Sequence, residues 1–193
     1  MRVSREEAAQ NRERIIEVAA RLFRERGFDG IGVADLMKSA GLTHGGFYGH
    51  FASKEDLMAQ ACERALSGTL QTLQQLAETG GAKALAAAAS AYLSPAHRDS
   101  PGEGCALAAL GAEAGRHGAP LRAAFTQGVR SAVDLLTRLV PGKSGRAKRE
   151  RALATYASMV GALVLARAVD DAGLSEEVLQ AVLKAVTRAD SPS

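Results

Sequence analysis

The chain has 193 residues, with 24 Lys and Arg against 21 Asp and Glu, a formal net charge of +3, 47% hydrophobic and 23% charged residues. A chain of this size can bury a full hydrophobic core, and this balance excludes a disulfide-stapled mini-protein and a disordered chain. Its 39 alanines, set against five Phe, three Tyr and no Trp, point to an all-α fold, because Ala is the strongest helix former.

The N-terminus, Met1 to Glu7, carries no apolar stretch of signal-peptide length. Cys62 and Cys105 are too few and too far apart for a disulfide framework or a zinc cluster. The most apolar window, Met159 to Ala166, is far shorter than the roughly 20 residues that span a bilayer. A cytoplasmic protein without a membrane segment, metal or cofactor is expected.

From Glu6 to Arg26, Ile15, Ile16, Ala19, Ala20, Leu22 and Phe23 recur at helical spacing, and Gly27 supplies a stop. A second, two-turn helix is predicted from Val33 to Ala40, closed by Gly41. A third begins at Thr43 and carries Phe47 and Phe51 one turn apart. Ser53 caps a fourth helix that runs to about Glu78, with Glu55 and Asp56 suiting its dipole. Three helices in so short a span, the last two joined by a Gly-containing turn, form a helix-turn-helix layout. Residues 1–62 are assigned to it, and residues 63–193 to a larger helical domain.

Beyond Thr79-Gly80-Gly81, helices are predicted over Ala82–Leu93, Cys105–His117, Pro120–Val140, Arg146–Ala172 and Ser175–Arg188. Ser94 to Gly104 reads as a polar loop and Asp190 to Ser193 as a short tail. About nine helices and no strand result.

A pI near 9.1 permits nucleic-acid binding without demonstrating it, and residues 1–60 cancel to zero with nine basic and nine acidic side chains. From Leu36 to Lys54, however, there is no Asp or Glu, while Lys38, His44, His50 and Lys54 give positive or partly positive character.

Overlapping that stretch, the run from Ala40-Gly41-Leu42-Thr43-His44-Gly45 through Phe47-Tyr48, His50-Phe51 and Ser53-Lys54-Glu55 to Leu57 resembles the DNA-binding region of the TetR family of repressors. Ala19 to Phe23 and Arg26-Gly27-Phe28 fit that family's first helix, and the resemblance spans roughly residues 10–65. It implies that Thr43, His44 and Gly45 open a recognition helix in the major groove of a double-stranded operator. It also implies that Tyr48, His50 and Lys54 grip phosphates, Lys54 adding the dipole of its helix. Helix N-termini and cationic or hydroxyl side chains suit those roles. Phe47 and Phe51 read as core.

Ile31-Gly32 stands where the family carries a capping Ser or Thr, leaving the Gly32 backbone to make that contact. Gly45, Gly46 and Gly49 weaken the recognition helix. Two explanations stay open: a helix loosely formed in free protein, or glycines that let DNA approach the backbone.

The family resemblance further implies a small-molecule effector in the larger domain and a homodimer through the last two helices, about 146–188. The apolar, small-residue segment Tyr156 to Ala166, with Val178, Leu179, Val182, Leu183 and Val186, is suited to a four-helix interface. Tyr92, Cys105, Leu107, Phe125 and Met159 are candidate pocket residues, each also readable as plain core. Cys105 follows Gly104 at a predicted helix start, where thiols gain reactivity, with Glu103 working against it. By its place after the loop it resembles the cysteine of electrophile-sensing family members.

The resulting expectation is a ligand-responsive, non-enzymatic transcriptional regulator, most simply a repressor released by a hydrophobic or electrophilic effector. The alternatives are a DNA-binding adaptor without a pocket and a thiol-dependent enzyme using Cys105 with His97 or His117 as base.

Overall fold

The computed structural model describes residues 4–188, so the predicted tail over 190–193 lies outside the described residues. The all-α reading holds: nine α-helices and two 3-10 turns occur among the described residues, with no strand.

Helix α1, Arg5–Arg26, starts where the Ser4 hydroxyl accepts a hydrogen bond from the Glu7 amide, with Glu6 and Glu7 at its positive end and Arg24 and Arg26 at its negative end. It stops at Gly27, whose φ of +76° is open to glycine and strained for other residues. Helix α2, Val33–Ser39, buries Leu36 and Met37. The predicted third helix is instead a 3-10 turn, His44–Gly49. With three glycines among its six residues and no side-chain cap from Thr43, it has too little helix propensity to extend into α geometry.

Helix α3 covers Lys54–Gly80, and a 3-10 turn over Gly81–Lys83 leads into α4, Ala84–Tyr92. The stretch expected to be a polar loop contains a further short helix, α5, Pro95–Asp99. Ser94 caps it by accepting from the His97 amide, and Pro95 enters with its φ already fixed. Helices α6, Ala106–Ala114, α7, Ala119–Leu139, α8, Gly145–Ala168, and α9, Ala172–Thr187, complete the chain. The last boundary differs from the prediction because Asp171 accepts from the Leu174 amide and starts α9 three residues earlier than Ser175.

The chain forms two compact units, and each draws on two stretches of sequence. The first comprises residues 1–67 and 101–126, the second residues 68–100 and 127–193. The core of the first unit joins Phe23, Phe28, Leu36, Phe47 and Leu57 to Leu110, Leu121 and Phe125. Phe23 and Phe28 meet edge to face with centroids 5.4 Å apart.

In the second unit α8 and α9 pack along each other and α4 lies against α9. The α8–α9 corner is closed by polar contacts. The buried Ser175 hydroxyl donates to the Ala166 carbonyl at 2.7 Å and accepts from Arg98 at 3.0 Å. Arg167 donates to the carbonyls of His97 and Arg98, holding α5 to α8. Carbonyls of a five-residue helix have few intrahelical donors, so a guanidinium with fixed multiple donors satisfies them well.

Candidate nucleic-acid interface

The reading segment sits on an aromatic anchor. Phe47 and Phe51 are buried with ring centroids 5.6 Å apart, and they fix the short turn to α1 and α2 despite its glycines. Arg12 lies over the Phe51 ring at 5.3 Å and hydrogen-bonds Gln60. Around the anchors the chain turns outward: Thr43, His44, Gly45 and Gly49 are exposed. Tyr48 leaves 71% of its surface in solvent while its ring edge rests on Phe47 at 5.3 Å. His50 is half-buried, 6.3 Å from Phe51. Gly32 is the N-cap of α2 and provides no side-chain cap.

The start of α3 is closed by a reciprocal pair. The Ser53 hydroxyl accepts from the Asp56 amide and the Asp56 carboxylate accepts from the Ala52 amide, both at 3.1 Å. Lys54, expected at a phosphate, is half-buried, and its ammonium donates to the Phe28 carbonyl at 2.6 Å.

Sequence spacing gave no sign that α6 belongs to this unit. Glu113 on α6 accepts from the Phe28 amide at 2.9 Å. The His117 ring meets Phe28 edge-on at 5.1 Å and lies 3.8 Å from the Glu55 carboxylate. Arg24 donates to the Gly104 carbonyl at 3.0 Å, just before α6. Burial lowers the Arg24 pKa from its ordinary value, opposed first by the field of Glu17. The two hydrogen bonds join residues 85 and 80 apart in sequence, so only tertiary packing reveals them.

The five candidate pocket residues separate. Cys105, Leu107 and Phe125 belong to the first unit, Tyr92 and Met159 to the second. All but the half-buried Leu107 are buried. Cys105 is the N-cap residue of α6, and its thiol is fully buried. Two open clefts of the second unit have other linings. One of about 430 Å³ is bounded by Gln74, Glu78, Leu135 and Arg138, and one of about 330 Å³ by Arg98, Arg167, Asp170 and Ser175.

The histidines considered as bases are engaged in packing. His97 Nδ1 is 2.6 Å from the Tyr92 carbonyl oxygen, and His117 holds the Phe28 and Glu55 contacts above. Among the described residues there is no cluster of three or more His, Cys, Asp or Glu suited to a metal ion. No helix among them is long and apolar enough to cross a membrane.

On α8, Leu153, Val164 and Leu165 are exposed, as is Leu174 on α9. Leu165 leaves 56% of its surface in solvent.

Residues 15–61 match the family described as bacterial regulatory proteins, tetR family. AcrR of Shigella flexneri, an HTH-type transcriptional regulator, is 37% identical over 62 residues, which cover 32% of this chain and 29% of that protein. The HTH-type transcriptional repressor NemR of Escherichia coli is 29% identical over 129 residues, 65% of each chain. The chain thus spans under a third of AcrR and just under two thirds of NemR. The crystal structure of NemR in its reduced form superposes with a TM-score of 0.78 at 26% identity, over 92% of this chain and 95% of that one. A TetR-family regulator from Cytophaga hutchinsonii shares the fold with a TM-score of 0.79 at 22% identity, over 96% of both chains. Residues 15–61 are thus similar to the tetR family of bacterial regulatory proteins, and the chain shares the fold of the solved regulators above.

Proposed function

We propose that this protein is a transcriptional regulator, acting as a repressor, that binds a palindromic DNA operator as a homodimer and releases it on binding a small hydrophobic or electrophilic effector. The observation that carries the reading is the outward face of residues 43–50. Thr43, His44, Gly45 and Tyr48 are presented to solvent on a buried Phe47–Phe51 anchor, in a 19-residue span without a carboxylate. A short helical segment reads base edges in the major groove through its first residues, while hydroxyl, imidazole and backbone groups hold phosphates. On this reading Thr43, His44 and Gly45 face the bases, with Tyr48, His50, the start of α3 at Lys54 and the Gly32 backbone beside the phosphates. On this reading residues 1–62 carry the DNA contacts and residues 63–193, of which 101–126 pack into the first unit, carry effector binding and dimerisation.

The second copy is supported by the exposed apolar residues of α8 and α9. Leu153, Val164 and Leu165 on α8 and Leu174 on α9 are large apolar side chains left in solvent, and a two-fold axis through the helix pair would cover them with their own copies. Effector binding reaches the DNA face through α3 and α7, the two helices with residues in both units. Release requires the effector to bind the DNA-free conformation more tightly, because equal affinity shifts no equilibrium. Such a regulator works in the cytoplasm, where the DNA is.

A gel shift with the DNA flanking the protein's own gene tests the reading. A salt-sensitive, competitor-resistant complex is expected. Binding no tighter than to random duplex contradicts it.

A further inference from the structure

Three glycines around the reading segment have reasons inside the chain, while Gly32, the N-cap of α2, has open space where a Cβ would stand. Gly27 and Gly41 have φ of +76° and +72°, where side chains are strained, and a methyl group at Gly30 would collide with the Arg26 carbonyl. At Gly46 a methyl group would make only an ordinary contact, 3.7 Å from Met37 Cε. Gly45 and Gly49 differ. Neither has a positive φ, both are exposed, and a methyl group at either would meet no atom of the chain within 4 Å. They lie in a helical turn, where Ala would favour the fold over Gly. Nothing within the protein asks for the missing Cβ at these two positions.

Resting on the proposed DNA-binding function, we infer that Gly45 and Gly49 are contact positions at which the duplex closes on the main chain, nearer than a Cβ would allow. In a 3-10 turn residues three apart eclipse, which sets Gly45 in line with Tyr48, whose ring is 71% exposed. The glycine therefore leaves a notch beside a side chain that stands out from the surface. The segment reads DNA through shape as well as side chains: a projecting ring flanked by bare backbone, with Phe47 holding the turn from behind.

The test compares Gly45→Ala and Gly49→Ala with Gly68→Ala, an exposed glycine of α3 that also has no atom within 4 Å of a methyl group. The probe is a fluorescent duplex selected from a random-sequence library by the wild-type protein. All three variants are expected to unfold at equal or higher denaturant than wild type. Gly45→Ala and Gly49→Ala are expected to bind the selected duplex about tenfold or more weakly, the scale of one lost base contact, while Gly68→Ala binds as wild type. Loss on a scrambled duplex as well assigns the close approach to the sugar-phosphate backbone, and loss on the selected duplex alone assigns it to base edges. Wild-type affinity in both variants would overturn the inference and leave the DNA-binding reading intact. Unfolding at lower denaturant would also overturn it, by placing the need for glycine inside the fold. Failure of the wild type to enrich any sequence would remove the DNA-binding reading itself.

Discussion

Glu113 accepts a hydrogen bond from the Phe28 amide at 2.9 Å, while the carbonyl of the same residue accepts from Lys54 at 2.6 Å. One residue in the turn between α1 and α2 is thereby held from both sides, by α6 and by the first residue of α3. Removing the acceptor leaves a part-buried amide without its partner, at about 1–3 kcal/mol. Glu113→Ala is expected to lower the unfolding free energy on that scale, and Glu113→Gln, which keeps an acceptor oxygen, to recover much of it. Chemical denaturation followed by circular dichroism checks this.

Lys54 gives a sharper comparison. Because its ammonium already faces the Phe28 carbonyl, Lys54→Ala is expected to destabilise the first unit by about 1.5–3 kcal/mol, the scale of a charge-assisted hydrogen bond. The salt dependence of DNA binding should then stay unchanged. A fall of about 1 in the slope of log K against log salt would show instead that the ammonium neutralises a phosphate in the complex.

His44 is exposed and forms no part of the core. His44→Ala should therefore leave stability within about 0.5 kcal/mol, the range for surface changes, while changing which sequences are preferred. Selection from a random duplex library by each protein measures that change. Identical selected sequences would remove His44 from the readout.

Much of this molecule was legible beforehand. Periodicity and the Gly27 stop mark the first helix as Glu6 to Arg26, within one residue of the observed Arg5–Arg26, because the apolar stripe and the glycine act locally. The positions of Phe47 and Phe51 mark the anchor by spacing alone. Legibility fails where distant partners decide. Nothing near Phe28 in sequence announces Glu113, and nothing near Lys54 announces that its ammonium turns inward. It also fails where local propensities nearly balance: a segment with Gly45, Gly46 and Gly49 reads as helix from its neighbours but settles as a 3-10 turn. Ser94-Pro95 is a start signal of the ordinary kind, hidden by the short length of the helix it opens.

The Cys62 thiol is pushed up to about 12 by burial, with Arg24 opposing the rise. An unfolded chain ionises this group from about pH 8.5, whereas the folded chain keeps it neutral to about 12. Its contribution is fully present below the unfolded value and declines as pH rises through that window. Stability of the wild type should therefore fall more steeply between about pH 8.5 and 12 than that of Cys62→Ala, with parallel curves at lower pH. Urea titrations at a series of pH values decide it, and identical slopes would contradict the burial argument.

The central claim is that two copies of this chain, joined through α8 and α9, read one palindromic site through residues 43–50. It is tested most directly by footprinting and measuring the stoichiometry of the wild type on its selected duplex, beside Leu165→Glu. The account predicts a symmetric footprint of two half-sites about one helical turn apart, near 34–36 Å, with two protomers bound. Leu165→Glu, which places a charge on the exposed apolar part of α8, should sediment as a monomer and lose cooperative binding. A single asymmetric half-site occupied by one protomer, or a Leu165→Glu protein that remains a dimer with an unchanged footprint, would contradict it.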